Sequence, residues 1–256
     1  MPSRAFLACS AAHRGSGDSL SAAVKIGERR MNGRVDSKRS VAVLGGTGAE
    51  GSGLALRWAA AGYSVTIGSR DESRALQAAS DLNTRLPDCA PKIKAATNRV
   101  AAAGSELVVM TVPWSAQAST ADDIIDELQG KILVDVTVPL SRPRVDRVHI
   151  PEAGSAVAQL QKRVGTGVRV VAAFQNVSAH HLKRIDEKVD CDVLVCGDSR
   201  EAREEVIRLA SDIGLRGIHA GELCNAAAVE AMTSVLIAIN KAYRVAGSGI
   251  KITGLQ

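Results

Sequence analysis

Val41-Ala42-Val43-Leu44-Gly45-Gly46-Thr47-Gly48-Ala49-Glu50-Gly51-Ser52-Gly53-Leu54 is the stretch that decides the fold. An apolar run over 41–45 leads into Gly46-x-Gly48-x-x-Gly51, and a helical stretch follows from about residue 50 to 62. A lone G-x-G-x-x-G is a weak signal, but between a strand and a helix it marks a dinucleotide-binding turn. Gly46 is expected to permit the tight turn, Gly48 to let the backbone approach a pyrophosphate, and Gly51 to let helix pack on strand. The helix start offers free N–H groups and a positive dipole end, worth about 0.3–2 kcal/mol toward an anion.

The next strand, 64–68, selects the nucleotide. An NAD enzyme usually places an acidic residue there, about 20 residues after the turn, to accept from the ribose 2′-hydroxyl. Here the strand runs into Gly68-Ser69-Arg70, and Arg74 follows one turn later. A hydroxyl and two guanidinium groups suit a 2′-phosphate, which arginine binds through charge-assisted, often bidentate hydrogen bonds. NADP is therefore expected over NAD.

Outward from this unit the same alternation continues. Apolar runs at 107–112 and 132–138, with a weaker one at 92–97, are separated by helical stretches near 72–86 and 114–128. Gly62 and Gly130 stand where helix C-caps belong. Strands are expected again at 168–174, 192–197 and 216–220, with a helix over 199–213 and a last one over 223–243. Strands buried on both faces are apolar nearly throughout, so the pattern predicts an α/β fold with a Rossmann-type doubly wound parallel sheet and a small C-terminal extension. The expected division is a disordered tail or mis-assigned start over 1–39, with Met31 the true start, then an NADP-binding core over 40–140. Residues 141–256 complete the sheet and the second half of the site. Thr111-Val112-Pro113-Trp114 closes one strand at the carboxyl edge, where such sheets bind ligands, and is placed beside the nicotinamide ribose. Met232, Val235, Leu236, Ile239 and Tyr243 fall on one face of the last helix, as core or as a dimer interface.

Composition narrows the function class. Hydrophobic residues make up 46% of the 256 and charged residues 23%, enough for a real core. Aromatic residues, at 2%, are too few for base-stacking platforms. The formal charge of +5 arises within the first 40 residues, which hold eight bases and three acids, so the remaining chain is balanced. Neither nucleic acid nor a membrane surface is an expected partner, and no apolar run reaches the roughly 20 residues of a bilayer span. Five cysteines without metal-ligand spacing read as free thiols in a reducing cytoplasm, with no metal site.

Together, GGTGAEGSGLALRWAAAGYSVTIGSR (45–70), TVPW (111–114), AAFQNVSA (172–179), CDVLVCGD (191–198) and GIKITGL (249–255) resemble the NADPH-dependent reductases of the deazaflavin coenzyme F420. The likeness runs from about Val41 to Leu255. It implies hydride exchange between C4 of the nicotinamide and C5 of the deazaflavin ring. It implies NADP contacts at Thr47, Gly48, Ala49 and Glu50, at Ser69, Arg70 and Arg74, around Thr111, Val112, Pro113 and Trp114, and at Ala179. It places the deazaflavin over Gln175-Asn176-Val177, against Thr233 and the Ser248-Gly249-Ile250 turn. The family often has a histidine where this chain has Gln175, whose amide only donates and accepts hydrogen bonds.

The residues themselves agree with such chemistry, since direct hydride transfer between stacked rings needs few protein acids or bases. Ala173, Val177, Ser178 and Ala179 are small enough to let rings approach. His180 and His181 read as a locally satisfied surface pair, and Glu230 as structural. Arg142, Arg144, Arg147, Lys162 and Arg163 form a basic stretch, either a solvated face or an attractor for the coenzyme's anionic tail. Two rival readings share the NADP turn: a reductase of an imine, keto acid or metal chelate, and a non-catalytic NADPH sensor. A cytoplasmic homodimer is expected.

Overall fold

Every residue of Val41–Leu44 (β1) is buried, as a strand covered on both faces requires. The computed structural model describes residues 38–255, so most of the expected tail over 1–39 lies outside the described residues. The other strands are β2 (Val65–Ser69), β3 (Lys94–Thr97), β4 (Leu107–Met110), β5 (Ile132–Asp135), β6 (Arg169–Ala172), β7 (Asp192–Gly197) and β8 (Arg216–His219). All eight form one sheet in the order β3-β2-β1-β4-β5-β6-β7-β8. Its first six positions follow the Rossmann order, and the strands of 40–140 and 141–256 share the one sheet.

Alternation sorts the core into two layers. Val41 and Val43 point to one face, where α1 (Ala49–Ala60), α2 (Glu72–Asn83) and α7 (Arg200–Ser211) cover them with Leu54, Trp58, Ala75, Val206 and Leu209. Ala42 and Leu44 point to the other, under α3 (Asn98–Ala103), α4 (Trp114–Asp123), α5 (Ala156–Val164) and α8 (Ala226–Tyr243). Trp58 is fully buried, lies edge-on to Phe174 with ring centroids 5.8 Å apart, and donates its indole N–H to Leu209 O at 3.0 Å.

Four features differ from the sequence reading. The sheet is parallel except where β6 meets β7, paired antiparallel through Val171–Gly197 and Ala172–Cys196. A parallel return usually needs a crossover helix; here the connection holds only the one-turn helix α6 (Ala179–Leu182), so the chain turns straight back. Helices α3, α5 and α6 were not anticipated: α3 and α6 are too short to show a period, and α5, nine residues long, is capped by its own Ser155 and by the distant Glu230. On α8 only Leu236 of the apolar stripe is buried, while Met232, Val235, Ile239 and Tyr243 are exposed, which removes the core reading for those four. Contrary to the expectation from apolar runs, Leu223–Tyr243 is long and apolar enough, by length and composition alone, to cross a bilayer. Ala226, Val229, Glu230, Ser234 and Leu236 on it are nevertheless buried against the domain.

Candidate functional site

The glycine turn forms at the carboxyl end of β1. Its positive φ, +81°, belongs to Gly45 rather than Gly46, and this corrects the expected division of labour. Gly46 is required by space instead, since a Cβ there would stand 2.7 Å from Ile67 Cγ2 of β2. A Cβ on Gly51 would collide with Thr111 Oγ1 and stand 2.8 Å from Gly45 O, so α1 can lie this close to the strand only with glycine. Thr47, Gly48 and Ala49 are exposed, and Gly48 caps α1 without any side-chain hydrogen bond, leaving the helix start open to an anion. Glu50 behaves otherwise. Its Oε1 is enclosed without a partner, and burial pushes the carboxyl up to about 8 despite the helix dipole.

At the end of β2, Ser69 Oγ accepts from Asp71 N at 3.2 Å, and Asp71 Oδ1 accepts from Ser73 N and Ser73 Oγ at 3.0 and 2.6 Å. The Ser73 hydroxyl, then the Arg74 amide, hold the Asp71 carboxyl below its ordinary range. The acid is thus turned onto its own helix, and the guanidinium groups of Arg70 and Arg74 stand exposed with no hydrogen bond or ion pair among the described residues.

Thr111 ties β4 to β1 twice, its N and Oγ1 both donating to Leu44 O at 2.9 Å. Pro113 caps α4 through its backbone, and Trp114 sets its ring 5.4 Å from that of His149. Behind this turn lies a buried acid the sequence reading did not single out. Asp135, at the end of β5, accepts from Gln117 Nε2 and, at 3.0 Å, from Thr137 N, while Thr137 Oγ1 reaches Val112 O at 3.4 Å. Burial pushes Asp135 up to about 6, with the Thr137 and Gln117 bonds opposing.

The second half of the site is built on a strained turn. Phe174, fully buried, has φ +73°, a left-handed conformation that costs a bulky residue about 1–3 kcal/mol. The strain aims the next residues. Gln175 Nε2 donates to Asp135 O at 2.8 Å, its Oε1 is buried without a partner, and its carbonyl accepts from Thr233 Oγ1 at 2.7 Å. Asn176 Nδ2 donates to Asp192 O at 2.6 Å and approaches Cys191 Sγ at 3.4 Å. Val177 is buried, and Ser178 and Ala179 lead into α6.

The C-terminal segment returns to this turn. Ser248 N donates to Asn240 Oδ1 at 2.8 Å and Ser248 Oγ to Leu236 O at 3.3 Å. Asp192 N donates to Ile250 O at 2.8 Å, and a Cβ on Gly249 would press on Cys191 Sγ at 2.9 Å. His181 Nε2 lies 2.9 Å from Gly247 O, so the histidine pair is satisfied locally on that side. Gln175, Val177, Thr233 and Ser248 therefore converge, and Gly46 to Gly51 and Thr111 to Trp114 form the neighbouring cradle on β1 and β4.

Glu230 caps α5, accepting from Ala156 N at 2.8 Å and Val157 N at 3.0 Å; burial lifts it to about 7, with those amides opposing. The expected basic stretch is divided. Arg163 pairs with Asp122 at 2.8 Å, and Lys162 lines a cavity of 440 Å³ with Arg169 and Ser199 at the amino end of β6, away from the glycine turn. Asp135, Asp192 and Cys191 were legible only as strand-end residues; an acid closing an apolar run is the one signal that marks the first. Among the described residues no group of three His, Cys, Asp or Glu could hold a metal ion.

The residues present fit two coenzymes: a glycine turn with no room for a Cβ at Gly46 or Gly51, two uncommitted guanidinium groups, and a buried, unpartnered amide oxygen on Gln175. Comparison with known proteins points the same way. Residues 40–139 match the family described as NADP oxidoreductase coenzyme F420-dependent. The F420-dependent NADP reductase of Methanothermobacter thermautotrophicus is 42% identical over 220 residues, 84% of this chain and 95% of that protein. The enzyme of the same name from Methanocaldococcus jannaschii is 40% identical over 222 residues, covering 84% and 99%. Among solved structures, a protein of Arthrobacter sp. fb24, provisionally assigned as an F420-dependent NADP-reductase, superposes with a TM-score of 0.70 at 28% identity. That match covers 84% of this chain and 99% of the other.

Proposed function

The chain belongs to the family of F420-dependent NADP reductases, and from that premise we infer that it transfers a hydride between NADP(H) and coenzyme F420. Relatives of that name span most of the chain at about 40% identity, so the imine, keto-acid or metal-chelate reductase and the NADPH sensor are not favoured. The balanced reaction is NADPH plus oxidised deazaflavin plus a proton, in exchange for NADP⁺ and reduced deazaflavin. The bound coenzymes supply the donor and acceptor carbons; the protein's own work is to place them about 3–3.5 Å apart and keep water out.

Each residue's part follows from its place. The amides of Thr47, Gly48, Ala49 and Glu50 at the open start of α1 hold the pyrophosphate, with Gly46 and Gly51 keeping helix and strand close. Glu50, protonated at neutral pH, adds no negative charge to that cradle. Ser69, Arg70 and Arg74 grip the 2′-phosphate. Thr111, Val112, Pro113 and Trp114 flank the nicotinamide ribose, and Ala179 leaves room for the ring. Gln175, Val177, Thr233 and Ser248 line the deazaflavin side; the Gln175 amide, oriented by its bond to Asp135 O, turns an acceptor oxygen toward it. In this division 40–140 carries NADP and 141–256 the deazaflavin pocket. The protein works as a homodimer in the cytoplasm, a reading supported by the exposed apolar stripe on α8 and by four free thiols at Cys89, Cys191, Cys196 and Cys224.

The observation that carries the reading is the convergence of the phosphate cradle with the Gln175 turn at one sheet edge. Purified protein given NADPH and oxidised coenzyme F420 is expected to bleach the deazaflavin absorbance. Folded protein that binds NADPH yet leaves that absorbance unchanged would overturn it.

A further inference from the structure

β5 lies between the strand that ends in the nicotinamide turn and the strand that ends in the Gln175 turn. Its last residue, Asp135, stands opposite Met110 of β4 and Ala172 of β6. The two turns therefore leave the sheet about 10 Å apart, two strand spacings. Asp135 is fully buried and reaches toward both. On the β4 side its carboxylate accepts from Gln117 Nε2, one turn into the helix that Trp114 begins, and from Thr137 N at 3.0 Å. Thr137 in turn donates its hydroxyl to Val112 O at 3.4 Å. On the β6 side the Asp135 carbonyl accepts from Ala173 N at 3.4 Å and from Gln175 Nε2 at 2.8 Å. An apolar residue would fill this place without the cost of burying a carboxylate, so packing alone does not account for the acid.

Glu230, the other buried acid nearby, is taken up by the Ala156 and Val157 amides and leaves the Asp135 donors uncontested. We propose that Asp135 is a positioning residue for hydride transfer. Its carboxylate, through Gln117 and Thr137, and its carbonyl, through Gln175, hold the nicotinamide turn and the deazaflavin turn at a fixed separation. The inference rests on the acceptor proposed above. Asp135 touches neither coenzyme in this role; Gln117 and Gln175 carry its effect outward. An amide presents a donor on one side and an acceptor on the other, so anchoring Gln175 Nε2 on the Asp135 carbonyl also decides where Gln175 Oε1 faces. The phosphate cradle and the Ser69-Arg70 ending lie apart from this network, so NADPH capture does not depend on it. The hydride step does, because a misplacement of about 1 Å between reacting groups costs about 100-fold in rate.

The test reverses the bond between Asp135 and Gln117 in the full-length protein. Gln117→Glu sets two carboxyl groups against each other and should part α4 from β5. Adding Asp135→Asn restores the bond with donor and acceptor exchanged, the new amide donating to the new carboxylate while its oxygen still accepts from Thr137 N. Three readouts are taken: amide hydrogen exchange at Thr137 without coenzymes, NADPH binding by calorimetry, and single-turnover bleaching of coenzyme F420 with NADPH deuterated at the transferred position. Gln117→Glu is expected to exchange faster at Thr137, bind NADPH as the parent does, and slow the isotope-sensitive step about 100-fold. The double variant should recover both the exchange and the rate. If Gln117→Glu does not fold, Gln117→Leu decides: removal of one donor to a charged group should slow the hydride step about tenfold with NADPH binding intact. A parent rate in the single variants, a loss that the double variant does not recover, or NADPH affinity that falls in step with rate overturns the role of Asp135 and leaves the acceptor reading standing. Parent protein that binds NADPH and leaves the deazaflavin unchanged overturns the acceptor reading and this role with it.

Discussion

Arg216 forks onto Asp192, Nε to Oδ1 at 2.7 Å and Nη2 to Oδ2 at 2.6 Å, and both residues then take the last turn of the chain. Asp192 Oδ2 accepts from Ile252 N at 2.6 Å, and Arg216 Nη2 donates to Ile252 O at 2.9 Å. The Arg216 bonds, ahead of the Ile252 amide, hold the Asp192 carboxyl below its ordinary range. Asp192→Asn should free the 248–252 segment, cost about 2 kcal/mol of stability, and raise the KM for the deazaflavin several-fold with little change for NADPH. Denaturant midpoints and the two KM values decide it; an equal rise in both would mean a general loss of structure.

Arg70 stands exposed because Asp71 is occupied with the amides of its own helix. Arg70→Ala should weaken NADPH by about 1.5–3 kcal/mol, the worth of a hydrogen bond to a charged group, and leave NADH nearly untouched. Calorimetric titration with both nucleotides measures the difference. Equal losses would dissociate this residue from the 2′-phosphate.

Glu230 titrates at about 7 in the fold against an ordinary 4.5, with burial the largest cause. A raised acid deprotonates in the unfolded chain first, so its contribution to stability is present below 4.5 and declines as pH rises to about 7. The loss amounts to roughly 3 kcal/mol at most. Glu230→Gln should flatten the stability profile across that window and weaken the cap on α5. Urea midpoints taken from pH 4.5 to 8 test this, and a variant with the parent's slope would reject it.

Val235 and Ile239 are 42% and 37% exposed on one face of α8, with Met232 beside them. Val235→Glu/Ile239→Glu should convert the proposed dimer to monomers in sedimentation equilibrium without lowering the helical circular dichroism. A parent protein already monomeric at micromolar concentration would dismiss this face as the interface.

The glycine turn, the strands flanking it and the Ser69-Arg70 ending are local in sequence, so their chemistry is written in consecutive residues. Six strands could be located because buried strands are apolar runs, while β3 and β8, largely uncovered at the two edges of the sheet, show that signal weakly. The reversal at β7 could not, since strand direction depends on where the chain goes between Ala172 and Cys191. Phe174 carries no sign of its left-handed backbone, because glycine is the usual marker and packing against Trp58 replaces it here. Asp135 reaches Gln117 across 18 residues, Asp192 reaches Arg216 and Ile252 across 24 and 60, and Glu230 reaches Ala156 across 74, and spacing along one chain does not reveal such pairs. The split of the basic stretch is legible only once α5 is seen to carry Lys162 and Arg163 to the other end of the sheet.

Phe174 holds an unfavourable backbone angle at the entrance to the Gln175 turn, and its ring is wedged against Trp58 on the hidden side of α1. The aim of the turn and the filling of the interior are consequently a single variable. A smaller ring at either position would let the peptide unwind toward an ordinary conformation and swing the Gln175 amide off its seat. Packing at this enclosed pair and the direction of the neighbouring side chain are set together.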